Sequence, residues 1–305
     1  MLFRGGVALD LPLARQAIDR DYLARVRPEL FDELWSDPGS RVLAMFEGSV
    51  LLENGSLKLL SVESVPSANY RVYLGRDSVG PIVLAVLNEN AAKQLEPTAE
   101  NWHHLRKTGA GLDDRDAGLF TQALAIANWH ATHQHCPRCG TPTLVEAGGW
   151  VRRCFKDDSE HYPRTDPAVI VAIIDDQDRI LLGSQGAWED NRWSILAGFV
   201  EPGESLEAAV VREMFEEAGV VVGEPHYLGS QSWPFPYSLM AGFAVRAEST
   251  DLRPDGDEIE KLRWFSREEL AAEAPHLLLP NRISIARAII ELWFGGELVS
   301  ATENR

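Results

Sequence analysis

The chain has 305 residues, a formal net charge of −17 at pH 7, 45% hydrophobic and 25% charged residues, and three cysteines. That length favours about two domains, and the composition is that of an ordinary globular protein. The acidic balance argues against a broad electrostatic grip on nucleic acid, no stretch reaches the roughly 18 apolar residues of a membrane span, and three cysteines cannot build a disulfide framework.

The first stretch, MLFRGGVALDLPLARQ, lacks a long apolar core and a small-residue cleavage site, so no signal peptide is expected. Two of the cysteines are spaced Cys-x-x-Cys, which favours a metal site in a reducing, cytoplasmic compartment. Up to about residue 120, apolar runs such as SVLLENGSLKLLSV and GPIVLAVLN are broken by Gly, Asn, Ser and Pro and read as strands and hairpins. AAKQLEP and the 18-residue AGLFTQALAIANWHATHQ read as helices. Residues 1–130 show no constellation that carries chemistry. They read as a mixed α/β domain with a structural or dimerisation role.

Residues 131–166 follow, with HCPRCGTPTLVEAGGWVRRCFKDDSEHYPRTDP at their centre. The segment is too short for an apolar core of its own, so something else must hold it together. Cys136 and Cys139, the Cys-x-x-Cys pair, point to a metal.

A second domain is expected over residues 167–295, with a tail at 296–305. PAVIVAIID, RILLGSQ, WSILAGFV and LMAGFAVRA read as strands, LRWFSREEL follows, and SIARAIIELWFGG reads as the last helix. Between them lies GESLEAAVVREMFEEAG, a helix with Ser205 as N-cap and Gly219 as its left-handed stop. On a helical wheel Val211, Met214, Phe215 and Ala218 form an apolar arc, and Glu213, Glu216 and Glu217 fall roughly opposite. Carboxylates three or four residues apart repel. A solvated acidic face with Arg212 as a surface partner would accommodate them. So would a hard divalent cation, which takes oxygen ligands and bridges carboxylates to phosphates.

The wider spacing decides between these. Gly198, Glu204, Arg212-Glu213-Met214, Glu216-Glu217 and Gly219-Val220 fill every fixed position of G-x5-E-x7-R-E-U-x-E-E-x-G-U, where U is a bulky aliphatic. This resembles the box of the Nudix hydrolases. The resemblance implies an α+β chain with a Nudix α/β/α sandwich that cleaves a nucleoside diphosphate linked to another group. It implies that Glu213, Glu216 and Glu217 hold Mg²⁺ or Mn²⁺, that the Ala197 carbonyl adds a ligand, and that Arg212 orients a glutamate. Hydrolysis of a phosphoanhydride needs neutralised phosphate charge and an in-line water, and bound metals supply both. Glu217 is the first candidate to take the proton of that water.

Past the box the chain reads Ser230-Gln231-Ser232-Trp233-Pro234-Phe235-Pro236-Tyr237-Ser238. This is similar to the S-Q-P-W-P-F-P-x-S array of the NADH pyrophosphatases in that family, with Ser232 where the array has proline. Prolines stiffen the run, and stiff aromatics suit a wall against a nucleotide. The same group carries a four-cysteine zinc ribbon ahead of its catalytic domain, which implies Cys136 and Cys139 as one knuckle and Cys154 as the start of the second. Here the fourth position holds Asp157, and His161 is the chemically more usual substitute. Smaller matches are Tyr162 and Ala286 as substrate contacts and Glu258 as a further metal ligand. Phe199, just after the box glycine, is a candidate neighbour of the nucleotide.

The resemblance therefore implies hydrolysis of NADH to reduced nicotinamide mononucleotide and AMP, removal of NAD caps from RNA 5′ ends, and a homodimer. A general dinucleotide or nucleotide-sugar pyrophosphatase is the alternative within the class. A catalytically dead, nucleotide-sensing module is the alternative outside it.

Overall fold

A computed structural model describes residues 9–304. The first eight residues, where the expectation of no signal peptide and the start of the 1–130 domain fall, and Arg305 lie outside the described residues. No helix among the described residues is long and apolar enough to cross a membrane. The chain divides into two compact units, one of Leu13–Thr165 with Trp233–Tyr237, the other of residues 9–12, Asp166–Ser232 and 238–304.

The unit of Leu13–Thr165 begins with helix α1 (Leu30–Ser36) and strands β1 (Arg41–Phe46), β2 (Ser49–Glu53), β3 (Ser56–Leu57), β4 (Leu59–Ser61), β5 (Ala68–Arg76), β6 (Pro81–Leu87) and β7 (Trp102–His104). They form a seven-stranded sheet ordered β3-β2-β1-β6-β5, with β4 on β1 and β7 on β2. The runs SVLLENGSLKLLSV and GPIVLAVLN become β2–β4 and β6, as their turn residues predict. Helix α2 (Glu89–Leu95) covers part of the sheet through Ala91 and Ala92, and the short α3 (Leu105–Thr108) follows β7. Helix α4 (Asp114–Thr132) is capped by the Asp113 side chain, which accepts from the Asp116 N–H at 2.8 Å. It is buried on nearly all sides, as a helix without a polar face must be. After it, β8 (Thr143–Glu146), β9 (Val151–Cys154) and β10 (Glu160–His161) make a small antiparallel ribbon.

The other unit contains β11 (Asp166–Ile174), β12 (Ile180–Gln185), β13 (Leu196–Phe199), helix α5 (Leu206–Ala218), β14 (His226–Trp233), β15 (Ser238–Arg246), β16 (Ile259–Phe265) and helices α6 (Arg267–Glu273) and α7 (Ile285–Phe294). Its sheet runs β14-β15-β11-β12-β16, with β13 on β11 and β15 parallel to β11. Strand β11 explains the unbroken apolar run PAVIVAII. Val169, Val171 and Ile173 face a core shared with Ala209, Val210, Met214 and Ala218 of α5. Ile170, Ala172 and Ile174 face a second core with Leu270 of α6 and Ile285, Ile289 and Trp293 of α7. A strand covered on both faces needs apolar residues at every position. Helices thus lie on both faces of one sheet, which is the α/β/α sandwich the resemblance implies.

The structure refines three local features. LRWFSREEL spans two elements: β16 ends at Phe265, and Ser266 opens α6 with a capping box to Glu269. Gln231-Ser232-Trp233 is the end of a strand and Ser238 the start of the next, so the array is a hairpin tip. Residues 296–304 do not hang free. Buried Arg287 on α7 donates to Glu291 Oε1 at 2.8 Å and to the Leu298 carbonyl and pairs with Glu303, which pins this segment to the unit.

Candidate active site

Strand β13 lies antiparallel on β11, with Ala197 opposite Ile170 and Gly198 opposite Val169. The chain then turns through residues 200–204 into α5. Ser205 caps that helix, accepting from the Ala208 N–H at 3.1 Å, and Gly219 ends it at φ +69°. Both caps fall where the sequence puts them. The face of the helix does not. Val211 and Phe215 are 45% and 50% exposed, and the buried side is Ala209, Val210, Met214, Ala218 and, 4% exposed, Glu217. Glu217 therefore belongs to the inward face and not to the side opposite the core.

The reason the inward face accepts carboxylates is β13. A Cβ on Gly198 would sit 2.0 Å from Cδ of Glu213, so only glycine lets that carboxyl lie against the strand. One turn later Glu217 receives a hydrogen bond from the Ala197 backbone N–H. Its Oε2 is buried and has no hydrogen-bond partner. Burial, then the charges of Glu213, Glu258 and Asp255, push the Glu217 carboxyl up to about 8. Burial also raises Glu213, against the pull of Arg212.

Arg212 does not neutralise Glu217. Its guanidinium is committed to Glu204, with Nε to Oε1 at 2.7 Å and Nη2 to Oε2 at 2.8 Å. The same group reaches the Phe199 carbonyl at 3.0 Å, Glu216 at 3.0 Å and Glu213 at 2.9 Å. Arg212 and the Glu201 N–H hold Glu204 down at about 2. The arginine is a brace between loop, strand and helix. It leaves the buried Glu217 Oε2 without a hydrogen-bond partner. A divalent cation fits that deficit: it takes oxygen ligands, and an orphaned buried carboxylate oxygen is the group it would satisfy. Glu213, Glu216, Glu217 and Glu258 are the residues that would hold it; Glu216 is the exposed member, and both it and Glu213 also pair with Arg212.

Two residues at this cluster carry no motif. Asp255 Oδ1 accepts from the N–H groups of Asp257, Glu258 and Ile259 at 3.0, 3.1 and 2.8 Å, which fixes the turn that bears Glu258. Gln185 donates to Glu258 Oε1 at 2.9 Å. An Asx turn before a strand is a weak signal for Asp255. Nothing in the sequence marks Gln185, whose partner is 73 residues away.

The remaining candidates are more dispersed. Phe199 is 59% exposed at the end of β13. Ala286 is 2% exposed in the core under α7, on the other face of the sheet from α5. Gln231 is buried and donates to the Ile283 carbonyl at 2.8 Å, and Ser238 is buried where β15 begins, while Ser232 is partly exposed. Trp233–Tyr237 belong to the unit of Leu13–Thr165. There Trp233 and Phe235 meet edge to face at 4.9 Å, Pro234 is buried and Pro236 exposed, and Tyr237 packs its edge on His133. Tyr162 is exposed and donates to Glu160.

In the ribbon, Cys136, Cys139, Cys154 and Asp157 offer ligand atoms all within 4.8 Å of one another. Cys139 Sγ and Cys154 Sγ are 3.6 Å apart, and Cys136 Sγ is 3.5 Å from Asp157 Oδ2. A tetrahedral zinc with Zn–S of about 2.3 Å has ligand-to-ligand edges of roughly 3.8 Å, so the set fits structural zinc. His161 is not one of the four but lies beside them, with Nε2 3.1 Å from the Ser159 hydroxyl and its ring close enough to act on the Cys136 thiol.

Two predictions follow from these charges. Because the folded chain holds the Glu217 proton up to about 8 and an unfolded chain releases it near 4.5, stability without added divalent cation falls as pH rises between those values and levels off above. Melting curves across that range should show the slope in the native chain and a shallower one in Glu217→Gln; equal slopes would contradict the assignment. Elemental analysis should find about one zinc per chain. Asp157→Ala should lose it and melt earlier, whereas His161→Ala should keep it; the reverse pattern would make His161 the ligand.

Comparison with known proteins agrees along most of the chain. Residues 39–129 match the NADH pyrophosphatase-like rudimentary NUDIX domain, residues 131–162 the NADH pyrophosphatase zinc ribbon domain, and residues 164–287 the NUDIX domain. The chain is 38% identical over 303 residues to the NAD-capped RNA hydrolase NudC of Mycobacterium tuberculosis (strain H37Rv), covering 92% of this chain and 94% of that protein. It is 37% identical over 220 residues to the human NAD-capped RNA hydrolase NUDT12, covering 67% of this chain and 48% of that protein. The chain belongs to the NADH pyrophosphatase branch of the Nudix hydrolase family.

Proposed function

We propose that the chain hydrolyses the diphosphate of NADH, giving reduced nicotinamide mononucleotide and AMP. One observation carries this reading. A buried, under-neutralised carboxylate cluster and a stiff aromatic array, matching the two signatures of the NADH pyrophosphatases, occur in one chain. Water adds to one phosphorus, the bridging oxygen leaves with the other phosphate, and the proton of the water must be taken up. Mg²⁺ or Mn²⁺, when bound, offsets phosphate charge and lowers the pKa of the water.

The chain's own residues do the rest. Glu213, Glu216, Glu217 and Glu258 would hold the cation, and we give the proton of the water to Glu217. Arg212 and Glu204 keep the turn before α5 in place. The Ala197 carbonyl as a further ligand and the array Gln231, Ser232, Trp233, Pro234, Phe235, Pro236, Tyr237 and Ser238 with Tyr162, Phe199 and Ala286 as substrate contacts rest on the family resemblance. So do a homodimer and the division into domains at 1–130, 131–166 and 167–295. Three free cysteines support a reducing cytoplasm and a structural zinc.

The relatives named above are NAD-capped RNA hydrolases, and an NAD cap offers the same scissile bond. We therefore include capped RNA 5′ ends among the substrates. The test is hydrolysis of NADH, NAD⁺, ADP-ribose and a nucleoside triphosphate with Mg²⁺ or Mn²⁺, with products separated by chromatography. NADH should be cleaved most efficiently, to AMP and reduced nicotinamide mononucleotide, and Glu217→Gln should lower kcat about a hundredfold or more. Faster cleavage of ADP-ribose or the triphosphate would point to a general pyrophosphatase, with Ser232 as the first residue to examine. Absence of any turnover would favour a nucleotide sensor.

A further inference from the structure

The segment Trp233–Tyr237 poses a hydrogen-bonding problem. Pro234 and Pro236 have no N–H, and the Phe235 N–H turns back to the Trp233 carbonyl at 2.7 Å. The tip is therefore rich in acceptors and poor in donors, and no strand ladder can hold it. Helix α4 supplies what is missing. The Asn128 side chain donates from Nδ2 to the Pro234 carbonyl at 3.0 Å and to the Pro236 carbonyl at 2.9 Å. Both partners are acceptors, so only the amide nitrogen can face them, and both of its hydrogens are used.

The rings are held from the β7–α3 corner. His104 stacks on Phe235, with centroids 5.6 Å apart and planes 27° apart. Its own orientation is fixed, because Nδ1 caps α3 by accepting from the Arg106 N–H at 3.3 Å. The Arg106 guanidinium lies 3.9 Å from the Phe235 centroid and 5.0 Å from that of Trp233. A cation over an aromatic face restrains the ring without covering its edge. These three residues come from a stretch that shows no chemistry in the sequence.

We infer that Asn128, Arg106 and His104 are positioning residues that set the aromatic wall of Trp233 and Phe235 and so determine selectivity for a dinucleotide that carries a nicotinamide ring. The inference rests on the function proposed above. Asn128 acts through the loop carbonyls and does not itself touch substrate. A wall held at both its backbone and its rings meets a ligand with one fixed shape, which is what discrimination by contact requires.

The test compares NADH with ADP-ribose, which shares the adenosine and diphosphate and lacks the nicotinamide ring. Asn128→Asp keeps the shape and replaces the double donor with an acceptor facing two carbonyls. Its KM for NADH should rise, and its ratio of kcat/KM for NADH over ADP-ribose should fall, by about tenfold. Arg106→Leu, at an exposed position that does not threaten folding, should shift the ratio the same way by roughly threefold. If Asn128→Asp does not fold, Arg106→Leu alone decides. A native preference for NADH that survives the variants, with both substrates slowed equally, overturns the inference and leaves the proposed function standing. A native chain indifferent to the ring overturns both.

Discussion

Glu217 lies on the inward face of α5, one turn after Glu213, with Glu258 and Asp255 adding like charge. A carboxyl pushed from 4.5 up to about 8 carries on the order of 5 kcal/mol against its charged form. That is comparable to the whole stability of many domains. The surrounding architecture maintains this condition instead of relieving it. Gly198 gives Glu213 room against the strand. Ala197 offers Glu217 one N–H, and Arg212 is committed to Glu204. A helix that needed only stability would turn these carboxylates to solvent. Here the unmet charge is available to a cation, so that binding returns what folding gave up.

The sandwich explains how such a site can be afforded. Strand β11 is buried on both faces, and the two cores on either side of it hold α5 from beneath and α7 from the opposite face. The box positions then have separate physical roles. Gly198 allows close approach, Glu204 and Arg212 brace the turn, Met214 and Ala218 anchor the helix, Glu213 and Glu217 carry the charge, and Gly219 stops the helix in the left-handed region. The spacing is fixed because strand, turn and helix must place all of these on one another.

Much of this was legible in the sequence, for identifiable reasons. The strands of the sandwich and the caps at Ser205 and Gly219 depend on local pattern, and the structure has them where that pattern puts them. The buried face of α5 was misread through a general rule. Apolar residues are expected inside and carboxylates outside, yet Val211 and Phe215 are exposed while Glu217 is buried. A binding site is where that rule should fail. For the ribbon, Asp157 stands with the three thiols in one set of ligand atoms, at the position the family spacing gives it, and His161 lies beside that set. Asn128, Gln185 and Asp255 were missed because their roles lie in partners or charges remote in sequence or in turn geometry that no motif records.

The central claim is that the buried glutamates of α5 form a cation site. The direct measurement is calorimetric titration of Mn²⁺ into the native chain, Glu217→Gln and Glu216→Gln, with folding of each checked by its melting temperature. The account predicts that Glu217→Gln stays folded and binds Mn²⁺ at least about tenfold more weakly, while Glu216→Gln, changed at an exposed carboxylate tied to Arg212, loses much less. Undiminished Mn²⁺ binding in a folded Glu217→Gln would contradict it.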